Sequence, residues 1–218
     1  MMHFIDATNR HEPRYADMLE QSYRIRHDIF VAWRGWKALE RPDGREIDQF
    51  DTVDAKYALW ADGDEVLGGA RFVESTKPHL LSEVFPHIIT LRDLPREPRV
   101  WEGTRFFTSR TGNSKVNRRS VTKDVFRSLF EVGLQFNLKA ITMMCDTFFL
   151  PRLLEGGVEA IPLSLPTPYA EGTCIACILP VSLEQLAAAR AGDRQSALFQ
   201  FDTSAFERTP ADAVVYAN

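Results

Sequence analysis

"KYALWADGDEVLGGARFV", residues 56–73, decides the fold. Two strand-like runs are joined by an Asp-Gly turn, which predicts an antiparallel hairpin. Downstream, "RVWEGTRFFTS" (99–109) reads as another strand, and the basic loop "RTGNSKVNRR" (110–119) follows it. A helix is expected over 120–137, where Ser120 suits the N-cap and Val125, Leu129, Val132 and Phe136 keep the 3.6-residue period. "AITMMCD" (140–146) reads as a strand, "TFFLPRLLEGG" (147–157) as a short helix with a glycine stop, and "GTCIACILPV" (172–181) as a buried strand. "SLEQLAAARAG" (182–192) closes as a helix. Upstream, residues 12–33 look helical, with Tyr15, Met18, Leu19, Ser22, Arg26, Ile29 and Phe30 near one face. Residues 34–55 form a long loop, and the Pro-rich stretch 74–99 is a connection with one short helix near 80–85. Hairpins and crossovers feeding one sheet make this an α/β protein of a single domain.

A chain of 218 residues can bury a sizeable core. Its 44% hydrophobic and 26% charged residues are ordinary for a globular protein. The net charge of −4 gives no electrostatic footprint for nucleic acid. The opening "MMHFIDATNRHEPRY" has no apolar h-region and no stretch approaches a membrane span, so a cytoplasmic protein with no membrane partner is expected. Cys174 and Cys177 form a C-x-x-C, which suits a metal knuckle or a redox pair. A zinc site needs four ligands, and no second Cys or His pair stands at suitable spacing. Inside an apolar run the two cysteines read as small hydrophobes of a buried strand, and no metal is expected.

The charged residues are less ordinary. In "GREIDQFD" (44–51), Glu46, Asp48 and Asp51 alternate with Ile47 and Phe50. That pattern holds carboxylates on one side while the apolar neighbours plug into a core. Arg71 and Arg105 stand in apolar strands, Arg26 lies four residues before Phe30, and Glu102 and Thr104 share a strand face. Charges in such places need partners. The three arginines and four carboxylates either form an ion-pair network tying helix, loop and sheet together, or build a site for a charged ligand.

Taken together these residues resemble the acyl-homoserine-lactone (autoinducer) synthases. Arg26, Phe30 and Trp36 fit an R-x3-F-x5-W signature, Glu46, Asp48 and Asp51 fit E-x-D-x2-D, and Arg71 and Phe85 match single positions. Glu102, Thr104 and Arg105 fit E-x-[S/T]-R, with Gly103 a departure where bulkier residues are common. The ordered set spans residues 24–110. The resemblance implies an N-acetyltransferase-like mixed, twisted sheet flanked by helices and splayed to admit an acyl carrier. It implies acyl transfer from a thioester to the amine of S-adenosylmethionine, then lactonisation and release of methylthioadenosine, with both reactants as substrates and no cofactor. Residues 1–110 would carry the S-adenosylmethionine site and 111–218 the acyl-donor side.

On the same resemblance, Glu102, Asp48, Arg71 and Arg105 are the catalytic candidates. Glu102 is either the base for the amine or an ion-pair partner of Arg105. Arg26, Phe30, Trp33, Trp36, Glu46, Asp48, Asp51, Phe85 and Thr104 would surround S-adenosylmethionine. Its net charge of about +1, added to three arginines, would balance four carboxylates. Trp33 and Trp36 either face the sulfonium or pack beneath a flap. Phe106, Phe107, Thr142, Met143, Met144, Phe148 and Phe149 supply apolar lining for the acyl group or simply core, Thr142 matching a family position associated with acyl C3. Between residues 105 and 152 nine basic residues face three acidic ones, which suits a phosphate-bearing partner, coenzyme A or an acyl carrier protein. "WEGTRFF" and the stretch 41–60 most resemble the branch that takes CoA-linked short branched or aryl acids. A plain N-acetyltransferase would share the sheet and the basic loop, and a calcium loop at "EIDQFD" lacks the spacing and central glycine.

Overall fold

The turn of the 56–73 hairpin places Gly63 at φ 60°, a conformation that costs glycine nothing because it has no Cβ. Strands β2 (Lys56–Asp62) and β3 (Glu65–Glu74) therefore pair directly, Asp62 opposite Glu65. The computed structural model describes residues 1–112, 114–169, 172–190 and 198–199. Around the hairpin lie β1 (Met2–Ile5), α1 (Pro13–Arg26), α2 (Leu80–Glu83), β4 (Val100–Thr108) and α3 (Arg118–Gln135). They are followed by β5 (Ala140–Asp146), α4 (Leu150–Glu155), β6 (Ile161–Pro162), β7 (Thr167–Tyr169), β8 (Gly172–Pro180) and α5 (Leu183–Ala189).

The sheet order is β1-β2-β3-β4-β5-β8-β6, and β7 also pairs with β8. Every pairing is antiparallel except β4 with β5, where α3 carries the chain back across the sheet. Asn117, not Ser120, caps α3: its side chain accepts from the Arg119 N–H at 2.9 Å, so the helix begins two residues earlier than expected. The buried stripe Val121, Val125, Leu129 and Val132 lays α3 on one sheet face, with Ala58, Phe72, Ile141 and Leu179 beneath it. The opposite face carries α1, through Met18 and Leu19 on Tyr57, Leu59 and Phe107, and a separate cluster around Leu81, Leu163 and Cys174. Cys174 and Cys177 point to opposite faces, one into each cluster, as side chains three apart on a strand must. No described helix is long and apolar enough to cross a membrane.

Gly69 lets β2 and β3 lie close. A Cβ there would stand 2.5 Å from Leu59 Cδ2 and 2.8 Å from the Ala58 carbonyl oxygen. Gly69→Ala is therefore expected to destabilise the protein by about 1–3 kcal/mol, read as a lower Tm, because a backbone carbonyl cannot step aside.

Candidate functional site

A bulge in β4 builds the site. Arg71 pairs with Thr104 and Gly69 with Phe107, so Arg105 and Phe106 together oppose Ala70. Arg105 adopts φ 52°, a left-handed backbone that a non-glycine residue rarely takes. The extra residue breaks the alternation. Thr104 and Arg105 both reach the α1 side of the sheet, while Phe106 turns to the α3 side against Phe126 and Phe149.

The three arginines meet the three loop carboxylates there. Arg26 donates Nε to Glu46 Oε2 at 2.6 Å and both terminal nitrogens to Asp51 at 2.8 Å. Arg71 holds Asp48 with two nitrogens, Asp51 at 2.9 Å, and Thr104 Oγ1 at 3.1 Å. Arg105 bridges Glu46 at 3.0 Å and Asp48 at 2.7 Å. Tyr57 adds its hydroxyl to Asp51 at 2.9 Å. Burial alone would lower the Arg26 and Arg71 pKa values, but the carboxylates more than offset it and both rise. Burial would raise Asp51, yet the hydrogen bonds and charges of Arg26 and Arg71 hold it far below the usual range. Oxygens of Glu46, Asp48 and Asp51 lie within 4.8 Å of one another, as a metal site requires, but the guanidinium groups occupy the position a cation would take. Three positive charges close on three negative ones, so the network is complete without a ligand.

Glu102 stands outside it. Its Oε2 accepts from the Leu80 N–H at 2.9 Å and its Oε1 from the Leu81 N–H at 2.7 Å, at the first turn of α2. Among the described residues it makes no ion pair with Arg105, which spends its donors on Glu46 and Asp48, so of the two readings of Glu102 the ion-pair partner falls and the paired set holds three carboxylates. Burial raises the Glu102 pKa, opposed by His79 and the two backbone donors. Beside it His79 Nε2 and Thr142 Oγ1 are buried with no partner among the described residues.

The cleft opens where β4 and β5 part. Their pairing ends at Gly103 and Met143, and the space beyond encloses about 830 Å³, the open mouth included. One wall is Phe30, Trp36, Thr104 and Arg105; the other is Phe106, Met143, Met144, Phe148 and Phe149. Phe30 sits in a π-helical turn, His27–Trp33, that widens the end of the expected 12–33 helix. Its ring stacks on Trp36 at 4.8 Å, and Arg34 lies 5.0 Å over the Trp36 ring. Trp36 thus already has an aromatic and a cationic partner within the chain.

Of the residues assigned to S-adenosylmethionine, Phe30, Trp36 and Thr104 line this cleft. Arg26, Glu46, Asp48 and Asp51 form the network behind its wall. Two are elsewhere: Trp33 is 63% exposed under Arg110, and Phe85 packs in the Leu81 cluster. Of the acyl residues, Phe106, Met143, Met144, Phe148 and Phe149 line the cleft. Phe107 is displaced by the bulge into the α1 core, and Thr142 is buried on the strand beside Glu102, off the cleft wall. A side chain added at Gly103 would meet Ile141 at 3.2 Å and Leu129 at 3.5 Å, so its absence relieves packing beneath α3. Sequence reasoning missed Arg34, Asp146 and Tyr169, which also line the cleft. Arg34 alone carried a signal, standing between the two tryptophans of "WRGW".

An autoinducer synthase family model matches residues 10–189. The chain is similar to isovaleryl-homoserine lactone synthase of Bradyrhizobium diazoefficiens, 38% identical over 188 residues, which is 85% of this chain and 82% of that one. It is similar to the solved structure of BjaI, a CoA-dependent acyl-homoserine lactone synthase with SAM (S-adenosylmethionine) and isopentyl-CoA, at 37% identity and TM-score 0.80 over 87% of each chain. In fold alone it is similar to a Lactobacillus plantarum protein described as an N-acetyltransferase, at 16% identity and TM-score 0.54, over 83% of this chain and 99% of that one.

Proposed function

The chain belongs to the autoinducer synthase family and is an acyl-homoserine-lactone synthase, and from that premise we propose that it acylates S-adenosylmethionine from CoA-linked short branched acids, isovaleryl-CoA among them. One observation carries the reading. A single cleft joins the Phe30–Trp36–Arg105 wall to an apolar wall of Phe106, Met143, Met144 and Phe149. The relatives named for isovaleryl and isopentyl groups support the choice of donor.

In this reading the α-amine of S-adenosylmethionine attacks the thioester carbonyl, the N–C bond forms and the CoA thiolate leaves. The amine titrates near ~8, so mild base assistance suffices. Glu102 does not line the cleft, and each of its oxygens keeps a lone pair beyond the one given to α2. It takes the proton through an intervening water, its proton affinity raised by burial. Backbone N–H groups of β4 beyond Gly103, free of β5, meet the oxyanion. The carboxylate then attacks its own γ-carbon and methylthioadenosine departs as a neutral thioether, so this step needs a ring-forming conformer rather than an acid. Arg105, fixed by Glu46 and Asp48, steers that carboxylate. Asp48 and Arg71 act by holding Arg105 and Thr104.

Residues 1–110 supply most of the S-adenosylmethionine wall, and those beyond, together with Phe106, supply the acyl floor. The basic residues from Arg110 to Arg119 meet the phosphates of coenzyme A. An acyl carrier protein would use the same charges. Both substrates are small metabolites of the cell interior, which supports a cytoplasmic reaction.

The test is kcat/KM with S-adenosylmethionine and isovaleryl-CoA, an aryl-CoA, and octanoyl groups on CoA and on carrier protein. Lactone and methylthioadenosine should appear together, and isovaleryl-CoA should exceed either octanoyl donor by about tenfold or more, since methylenes that do not fit cost about 1–3 kcal/mol. A preference for the octanoyl carrier protein overturns the donor. Lactone without methylthioadenosine overturns the mechanism.

A further inference from the structure

Beyond Gly103 and Met143, β5 runs on to Asp146 paired with β8 alone, so the cleft widens toward Asp146. No described strand closes that gap, and side chains do. Arg34, the residue after the π-helical turn, donates Nη2 to Asp146 Oδ2 and to the Tyr169 hydroxyl at 3.1 Å. The Tyr169 hydroxyl donates to Asp146 Oδ1 at 2.6 Å, completing a triangle. The Arg34 and Asp146 side chains are only 22% and 12% exposed, so the bonds are partly desolvated and worth more than a surface pair. Burial and the Asp146 carboxylate push the Tyr169 phenol up to about 12, which keeps it protonated as that donor. Arg34 also lies over Trp36, so the triangle is mechanically joined to the S-adenosylmethionine wall. Among the described residues, no other hydrogen bond or ion pair joins residues 27–55 to the chain beyond residue 110.

We propose that Arg34, Asp146 and Tyr169 are positioning residues that form a latch across the cleft mouth, and that its closure directs the acyl group to the amine rather than to water. The inference rests on the synthase reading given above. Two reactions compete for one thioester. Attack by the amine forms N–C, breaks C–S, and gives amide and thiol after loss of one amine proton. Attack by water forms O–C, breaks the same C–S bond, and gives carboxylic acid and thiol. Each event releases one thiol, but only the first leads to lactone. With the free carboxylic acid quantified alongside, to separate hydrolysis from acylated amine that has not closed, the ratio of thiol to lactone reports water access to the reacting carbon.

The experiment measures both products with full-length protein, isovaleryl-CoA and S-adenosylmethionine. The wild type should give about one thiol per lactone. Asp146→Asn and Tyr169→Phe should each raise the ratio to about threefold or more, because either one opens the triangle. Tyr169→Phe keeps the ring and removes only the hydroxyl, so it serves if Asp146→Asn fails to fold. A ratio that stays near one in folded variants, whatever happens to rate or Tm, overturns the latch. If the wild type makes no lactone from isovaleryl-CoA, the donor assignment is what fails, and the same ratio measured with octanoyl carrier protein then decides the latch.

Discussion

Asp48→Asn should lower kcat/KM for lactone synthesis by about a hundredfold or more while leaving the protein folded. The Asp48 carboxylate is shared: Arg71 takes both oxygens, and Oδ2 also accepts from Arg105 at 2.7 Å. An asparagine of the same shape replaces one of these two accepting oxygens, each of which takes two donors, by an NH2 that turns a donor toward donors. Arg105 would keep Glu46 through Nε and Nη2 but lose the shorter of its two Nη2 bonds, the one that pulls the guanidinium toward Asp48. Since Arg105 is the network's charged member on the cleft wall, loosening it misplaces the group that steers the substrate carboxylate. Misplacement of about 1 Å is enough for a loss of that order. Folding should suffer less, because Arg71 still reaches Asp51 and Arg26 keeps both partners. Steady-state kinetics beside thermal melts decide the matter. Activity within about tenfold of wild type, or a loss matched by collapse of the melting transition, would show that Asp48 serves folding rather than the reaction.

The parts of this arrangement that follow local rules were legible in the sequence. The β2–β3 hairpin, β4, β5 and β8 carried their period and their turn residues, and "AITMMCD" became a strand with the expected ends. The strands β1, β6 and β7 were not legible: four, two and three residues cannot show a period, and each forms only because a neighbouring edge is available. The arginines and acids were legible as a set, because charged residues among apolar ones demand partners. Their pairing was not. Nothing in "WEGTRFF" announces that Arg105 will take a left-handed backbone, yet that bulge sets which way Arg105, Phe106 and Phe107 point. It sends Phe107 into the α1 core and Arg105 to Glu46. The hydrogen-bond partners of Glu102 were hidden for a related reason, since they are N–H groups of a Pro-rich connection whose path no local pattern fixes. The Arg34–Tyr169 contact spans 135 residues, and no spacing rule reaches that far.

Arg26→Met is expected to cost about 3–5 kcal/mol at neutral pH, and the pH dependence of that cost identifies its origin. Methionine fills much of the space, so packing is not the main loss. The network passes from three positive and three negative charges to two against three, leaving one uncompensated charge among groups nearly closed to water. In the wild type Arg26 and Arg71 hold the Asp51 pKa below its ordinary value of 3.8. Its contribution to stability is therefore fully present above about pH 4 and is lost as the pH falls through the folded value. Without Arg26 the balance at the buried carboxylates reverses. Desolvation and mutual repulsion then raise the pKa of one of them above its unfolded value, so the folded variant takes up a proton that the unfolded chain does not. Its stability should rise as pH falls from about 7 to about 5, where the wild-type contribution of Asp51 is flat. Glu102, whose pKa burial raises, adds a small gain on acidification to both proteins, and it cancels in the difference between their curves. Urea melts of both proteins across this range give that difference. A ΔΔG that narrows toward acid places the cost in the unpaired charge, whereas parallel curves would assign it to lost packing and refute the electrostatic account of the network.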